Sequence, residues 1–120
     1  MSDNGHNHDV LNDLRPQHRA LRKEIPDVYR AFNELSGAAM ADGALPTTVK
    51  ELMAMVVGVE HGCDGCIASH ARGAAGAGAT TAEAAEAIGV AILMNGGPAT
   101  IYGARAYAAF CEFAGFEPPA

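Results

Sequence analysis

The sequence is poor in the residues that large aromatic cores, membrane spans and nucleic-acid surfaces require. Its 120 residues include no tryptophan, only 6% aromatic residues, and eight Lys or Arg against 14 Asp or Glu, for a formal net charge of −6. This charge argues against binding nucleic acid or an anionic membrane through bulk electrostatics. The apolar segment 52–59 ends at Glu60 and is too short for a membrane span of roughly 18–20 residues.

The N-terminal segment 1–8 lacks the basic and then apolar pattern of a signal peptide. We therefore expect a cytoplasmic protein with a mobile tail at 1–8, followed by one domain at 9–120. His6 and His8 could bind a metal as a pair, but a solvated tail is the favoured interpretation.

Small apolar residues are abundant instead, since 49% of the chain is hydrophobic and 14 residues are glycine. Apolar positions recur at helical spacing and predict an all-α bundle of about six helices. The first helix covers much of 9–24, with Pro16 as a kink or a restart. Its basic stripe is interpreted as a solvated face: Arg15, Arg19, Arg22 and Lys23. The predicted helix breaks lie at Pro26, 37–43, Pro46, 58–62, 73–80 and 95–98.

The second helix carries Tyr29 and Phe32, which we predict to be core residues. Segments 52–59 and 87–94 are apolar around most of the helix circumference, so we expect both to be buried. A small subunit has limited interior in which to hide two such helices. The composition therefore favours association of subunits.

Two segments have capping-box spacing, in which a Ser or Thr is followed three residues later by Glu. Thr80 with Glu83 and Thr48 with Glu51 both fit this pattern and predict helix starts. Glu51 could therefore have a purely local role, as the capping residue at the start of its helix. Cys111 stands alone in an apolar helix and is predicted to be a small buried hydrophobe.

The chemistry of the chain is concentrated in a short motif with Cys63, Cys66 and His70. A Cys-x-x-Cys pair can close a disulfide across the first turn of a helix, and His70 falls on the same helix face. The helix N-terminus lowers the pKa of a thiol, and the thiolate is the reactive form. In a reducing compartment such a pair is typical of a catalytic or metal-binding site. The motif predicts a redox dithiol with a neighbouring base.

The pattern of Glu51, Cys63-x-x-Cys66 and His70 resembles the AhpD-like alkylhydroperoxidase branch of the carboxymuconolactone decarboxylase family, over about 45–107. The resemblance implies an all-helical subunit, a homotrimer or homohexamer, and a proton relay linking Glu51, His70 and the two thiols. Many relatives carry an aromatic residue where this chain has Gly65. That departure concerns the shape of the substrate rather than the thiol chemistry.

The favoured function is a thiol-dependent peroxidase that reduces alkyl or hydrogen peroxides and needs no further cofactor. Cys66 is expected to lie nearest the base and Cys63 to be its partner, while the identity of the attacking thiol is left open. The resemblance implies a lipoyl-protein or thioredoxin-like dithiol as the reductant.

Other functions are compatible with the same residues. A zinc site could use Cys63, Cys66 and His70 with His61 or Glu51 as the fourth ligand. Lactone decarboxylation is a second alternative, and a non-catalytic redox sensor is a third. His61 could be a second base or an ordinary turn histidine.

Overall fold

The computed structural model describes residues 5–115, and within this range the chain forms six α-helices and no strand. The all-α prediction is confirmed. None of the described helices is long and apolar enough to cross a membrane. The helices are α1 (His6–Glu24), α2 (Pro26–Met40), α3 (Thr47–His61), α4 (Asp64–Gly76), α5 (Thr81–Asn95) and α6 (Gly97–Ala114).

The core is formed where α3, α4, α5 and α6 pack together, with α1 lying against α4. Small side chains dominate this core, so the helix backbones approach closely. A Cβ placed at Gly103 of α6 would lie 2.7 Å from Ile88 Cγ2. Cys111 is buried, as predicted. The fully buried side chains include Met55, Val59, Ile67, Phe110 and the alanines at 68, 71, 74, 84, 91, 99, 106 and 109.

One of the two capping boxes predicted from residue spacing is present in the structure. At the start of α5, Thr80 Oγ1 accepts a hydrogen bond from Glu83 N, and the Glu83 carboxylate accepts one from Thr80 N. The corresponding prediction for Thr48 and Glu51 is wrong, because no side chain of that pair caps α3. The Asp42 carboxylate accepts a hydrogen bond from Thr47 N at 2.8 Å instead, and this bond holds the pKa of Asp42 below its ordinary value.

Helix α1 begins at His6, before the expected start at residue 9, and runs through Pro16 without a break. Its first turn is fixed by the Glu112 carboxylate of α6, which accepts hydrogen bonds from Asn7 Nδ2 at 2.9 Å and from His8 N at 2.8 Å. Asn7 is buried as a result. Residues 6–8 are therefore helical rather than tail, while the part of the tail prediction that concerns residues 1–4 lies outside the described residues.

Three predictions of burial within one subunit are wrong. Segment 87–94 buries Ile88 and Ala91 but exposes Val90, Leu93 and Met94. Helix α2 contains no buried residue, and Phe32 is 64% exposed rather than part of the core. Segment 52–59 buries Leu52, Met55 and Val59 but exposes Met53 and Val57. The physical reason is that α2 lies at the edge of the bundle, mainly against α1 and α3, and that a single subunit covers just one side of α3.

Protonation of Glu112 is expected to release the first turn of α1. Burial raises the pKa of Glu112, but hydrogen bonds from Asn7 and His8 outweigh it and lower the pKa below the ordinary value of 4.5. Because the folded pKa is depressed, this stabilisation is fully present above pH 4.5 and is lost as the pH falls through the folded pKa. Glu112→Gln should lower the free energy of unfolding by about 1–3 kcal/mol at neutral pH. Denaturant titrations should show that the difference from wild type shrinks in acid; a difference independent of pH would contradict the assignment.

Candidate active site

The turn between α3 and α4 places the two cysteines at the start of α4. Gly62 ends α3 with φ +61°, a left-handed backbone conformation that residues other than glycine rarely adopt. Cys63 follows as the N-cap of α4, and its sulfur accepts a hydrogen bond from Cys66 N at 3.2 Å. A disulfide joins Cys63 to Cys66, whose Cα atoms are 5.2 Å apart. The described structure is thus the oxidised form of the dithiol.

The two cysteines differ in their access to solvent. Cys66 is exposed, whereas Cys63 is half-buried in the turn. A reagent approaching the disulfide therefore meets Cys66 first. Exposure and thiolate character together decide which cysteine reacts, and the exposure favours Cys66.

Glu51 of α3 and His70 of α4 form a hydrogen-bonded pair that joins the two helices. His70 Nδ1 lies 3.0 Å from Glu51 Oε2, and the side chains are 32% and 14% exposed respectively. An ionised carboxylate only accepts hydrogen bonds, so the bond places a proton on Nδ1 and leaves a lone pair on Nε2. His70 is one helical turn beyond Cys66 on the same face. Chemically, such a pair can act as a base with an orienting carboxylate.

Two glycines let α3 and α4 approach each other around this pair. A Cβ at Gly58 would lie 3.2 Å from Cys66 Cβ, so α3 passes close beneath the start of α4. A Cβ at Gly73 would lie 2.5 Å from Glu51 Cδ, inside van der Waals contact. The absence of a side chain at Gly73 therefore provides the space in which the Glu51 carboxylate reaches His70.

Gly73→Ala is expected to displace Glu51 from His70 and to reduce thiol reactivity. A misplacement of this kind lowers the rate roughly ten- to a hundredfold, measured as alkylation of the reduced Cys66 thiol at neutral pH. Gly76→Ala is the matched control, because it lies on the same helix and a Cβ there meets nothing within 4 Å. Equal rates in both variants would show that the Glu51 position does not matter.

A charged cluster that the sequence did not predict ties the motif to two other helices. Asp64, the residue after Cys63, forms an ion pair with Arg105 of α6, and His6 Nε2 lies 3.1 Å from Asp64 Oδ2. Arg105 and His6 also contact each other at 3.1 Å. Because the partners are 41 and 58 residues away from Asp64, no local pattern in the sequence signals the cluster. The cluster fixes the first residue of α4 against α1 and α6.

The metal-binding and second-base predictions receive no geometric support. Within residues 5–115, no three His, Cys, Asp or Glu side chains come together in a way that could hold a metal ion. In the disulfide form, the Cys63 and Cys66 sulfurs are joined to each other rather than available as two thiolates. His61 is exposed at the end of α3 and makes no side-chain hydrogen bond to another described residue. Its position fits an ordinary turn histidine.

Comparisons with known proteins agree with this helical architecture. Residues 26–109 match the model of the Carboxymuconolactone decarboxylase family. The chain is 39% identical to apo-lpg0406, a carboxymuconolactone decarboxylase family protein from Legionella pneumophila, whose crystal structure superposes with a TM-score of 0.87 over 90% of this chain and 96% of that one. It is 38% identical to an uncharacterized protein of Cupriavidus necator, over 83% of this chain and 88% of the relative. It is 40% identical to uncharacterized protein 4 in the cox locus of Paracoccus denitrificans, over 71% and 77% of the two chains.

Proposed function

The chain belongs to the carboxymuconolactone decarboxylase family, and from that premise we propose that it is a thiol-dependent peroxidase acting through Cys63 and Cys66. Its substrates are alkyl or hydrogen peroxides. The observation that carries the proposal is the exposed Cys66, bonded to Cys63 and one helical turn from the Glu51–His70 pair. The residues proposed as nucleophile, resolving thiol, base and orienting carboxylate lie on two adjacent helices and the turn that joins them.

The reaction begins with the reduced dithiol. The Cys66 thiolate attacks the terminal oxygen of the peroxide, the O–O bond breaks, and the other oxygen leaves as an alkoxide that takes up a proton. Cys66 is then a sulfenic acid. The Cys63 thiol attacks the Cys66 sulfur, forms the disulfide and releases water. The peroxide has gained two electrons and two protons, and the dithiol has lost them.

His70 and Glu51 handle the protons of this cycle. His70 Nε2 removes the thiol proton of Cys66, directly or through one water, and returns it to the leaving alkoxide. Glu51 holds His70 in the required tautomer and stabilises the imidazolium that forms. The N-terminus of α4 adds a favourable potential for the thiolate.

Completion of the cycle requires a dithiol reductant, which we propose to be a lipoyl-protein or a thioredoxin-like protein. A thiolate of the reductant attacks the exposed Cys66 sulfur and forms a mixed disulfide, with Cys63 as the leaving group. A second thiol of the reductant then resolves the mixed disulfide. The partner is oxidised, and Cys63 and Cys66 return to the thiol form.

Lactone decarboxylation is the second candidate, because the matching family model is named for that activity. The redox-ready cysteine pair favours peroxide reduction over it. The deciding assay supplies the purified full chain with dihydrolipoamide and follows consumption of hydrogen peroxide and tert-butyl hydroperoxide. A parallel assay follows loss of carboxymuconolactone. Peroxide consumption that depends on the dithiol supports the proposal, and lactone turnover without it would replace the proposal.

We also propose that the active protein is a homotrimer or homohexamer. The apolar side chains left uncovered by the single subunit lie on several helices, and Leu93 and Met94 of α5 are 80% and 75% exposed. A monomer rarely leaves large apolar patches in water. Two other helices also expose apolar side chains: Met53 and Val57 on α3, and Val28 and Leu35 on α2. A second copy that buries these surfaces gains about 25 cal/mol per Å² of apolar area.

The assembly is tested by light scattering coupled to size exclusion at micromolar concentration. We expect a mass of about three or six times the 12.3 kDa subunit. Leu93→Lys places a charge in the exposed apolar surface and should shift the population toward the monomer. Glu86→Lys, an exposed change of charge on the same helix, is the control. A wild-type mass of one subunit would contradict the assembly.

A further inference from the structure

A groove of about 680 Å³ lies over the disulfide, between α1, α2 and α4. This volume falls within the roughly 300–1,000 Å³ of small-molecule sites. Cys66, Ser69 and His70 line its α4 side. A molecule bound in the groove therefore lies against the sulfur atom that we propose to react.

The opposite side of the groove is apolar. Val10 and Leu14 of α1 and Phe32 of α2 line it, and Phe32 leaves most of its surface in water. Gly65 makes this arrangement possible, because a Cβ there would already lie 3.1 Å from Leu14 Cδ1. An apolar chain laid along these side chains would remove their surface from water.

The rim of the groove is basic although the chain as a whole is acidic. Arg15, His18 and Arg72 line it, and no Asp or Glu does. Among the described residues, neither Arg15 nor Arg72 forms an ion pair with a carboxylate. In a chain with a net charge of −6, two unpaired arginines beside an apolar surface mark a site for an anionic group.

Resting on the peroxidase function proposed above, we infer that the groove selects peroxides that carry both an apolar chain and a carboxylate. Medium-chain fatty-acid hydroperoxides have this chemistry. Arg15 and Arg72 bind the carboxylate, and Val10, Leu14 and Phe32 contact the chain. The terminal peroxide oxygen is transferred to the Cys66 sulfur, the O–O bond breaks, and the remaining alkoxide takes a proton from His70. The product is the corresponding hydroxy acid.

Binding to the disulfide form tests the inference without any turnover. Calorimetry on the full chain compares octanoate with 1-octanol, which has the same chain length and no charge. We expect octanoate to bind roughly tenfold more tightly at low salt. The advantage should shrink at about 0.5 M sodium chloride, where charges on a partly exposed rim are screened. Decanoate should bind more tightly than octanoate, by up to about fourfold per added methylene.

Substitutions of single arginines test which of them bind the carboxylate. Arg15→Gln and Arg72→Gln should each weaken octanoate binding roughly three- to tenfold with little effect on 1-octanol. Arg15→Lys should retain most of the affinity. Arg19→Gln is the matched control, because Arg19 belongs to the same basic stripe and does not line the groove. Equal binding of octanoate and 1-octanol, or an equal effect of Arg15→Gln and Arg19→Gln, would overturn the inference.

A kinetic comparison separates the two proposals. The value of kcat/KM should be several-fold higher for a fatty-acid hydroperoxide than for its methyl ester. If tert-butyl hydroperoxide is consumed but the acid is not preferred over the ester, the groove assignment fails and the peroxidase proposal stands. If octanoate binds as expected and no peroxide is consumed, the peroxidase proposal fails and the anionic groove stands.

Discussion

Replacing Cys66 by serine is expected to abolish peroxide turnover by the reduced protein. The serine hydroxyl is not ionised at neutral pH and cannot form a sulfenic acid or a disulfide, so both the first step and the resolving step are lost. We expect a fall in kcat of roughly three orders of magnitude or more. The measurement is a peroxide-consumption assay with dihydrolipoamide, in which background reduction by the dithiol is subtracted.

The other two cysteines provide the controls for this experiment. Cys63→Ser, reduced beforehand and freed of the dithiol, should consume about one equivalent of peroxide and stop at the Cys66 sulfenic acid, because the attacking thiol is present and no resolving thiol is. Cys111→Ala should keep turning over, since Cys111 is buried in the core. If Cys66→Ser consumes the single equivalent and Cys63→Ser does not, the roles of the two thiols are reversed. Loss of activity in all three variants would contradict the assigned chemistry.

Replacing His70 by alanine should lower the peroxidase rate by roughly two to four orders of magnitude, the range typical of a lost general base. The thiolate of Cys66 would then form only at higher pH. The rate of Cys66 alkylation, measured from acid to alkaline pH, should therefore shift toward alkaline pH in the variant. Glu51→Gln should give a smaller loss, because the amide can still accept a hydrogen bond from Nδ1 but carries no charge to stabilise the imidazolium.

His61→Ala is the matched control for His70→Ala. His61 lies at the end of the preceding helix, exposed and without a side-chain partner among residues 5–115. We expect its removal to leave the alkylation profile unchanged. A shift in both variants would identify His61 as a second base, and a shift in neither would remove histidine from the proton transfer.

The sequence predicted those features that depend on neighbours three or four residues apart. The six helices, the Thr80–Glu83 capping box and the Cys63–Cys66 bond are of this kind, because backbone geometry alone brings such residues together. The same spacing misled at Thr48 and Glu51. There Thr48 Oγ1 donates a hydrogen bond to Ala77 O, 29 residues away, while Glu51 turns toward His70. Hydrogen-bond partners distant in the sequence determine where both side chains point, and the spacing of neighbouring residues carries no information about such partners.

The candidate site was predictable only in part for the same reason. The motif itself indicated Cys63, Cys66 and His70, but Arg105 and His6 reach Asp64 only because α6 and α1 pack against the start of α4. Arg72 and Arg15 similarly face one groove from two helices. The burial of Phe32 was mispredicted because an apolar stripe on a helix shows which face avoids water and does not show what covers it.

Because α2 lies at the edge of the bundle, we expect the proposed peroxidase activity to depend on protein concentration. A 15-residue helix with no buried side chain is only marginally stable by itself in water. We therefore expect local unfolding of α2 in dilute subunits, visible as fast amide hydrogen exchange across Pro26–Met40. Because Phe32 forms one wall of the groove over Cys66, each such opening removes part of the substrate site. Specific activity should then fall on dilution even while the disulfide, α3 and α4 remain folded.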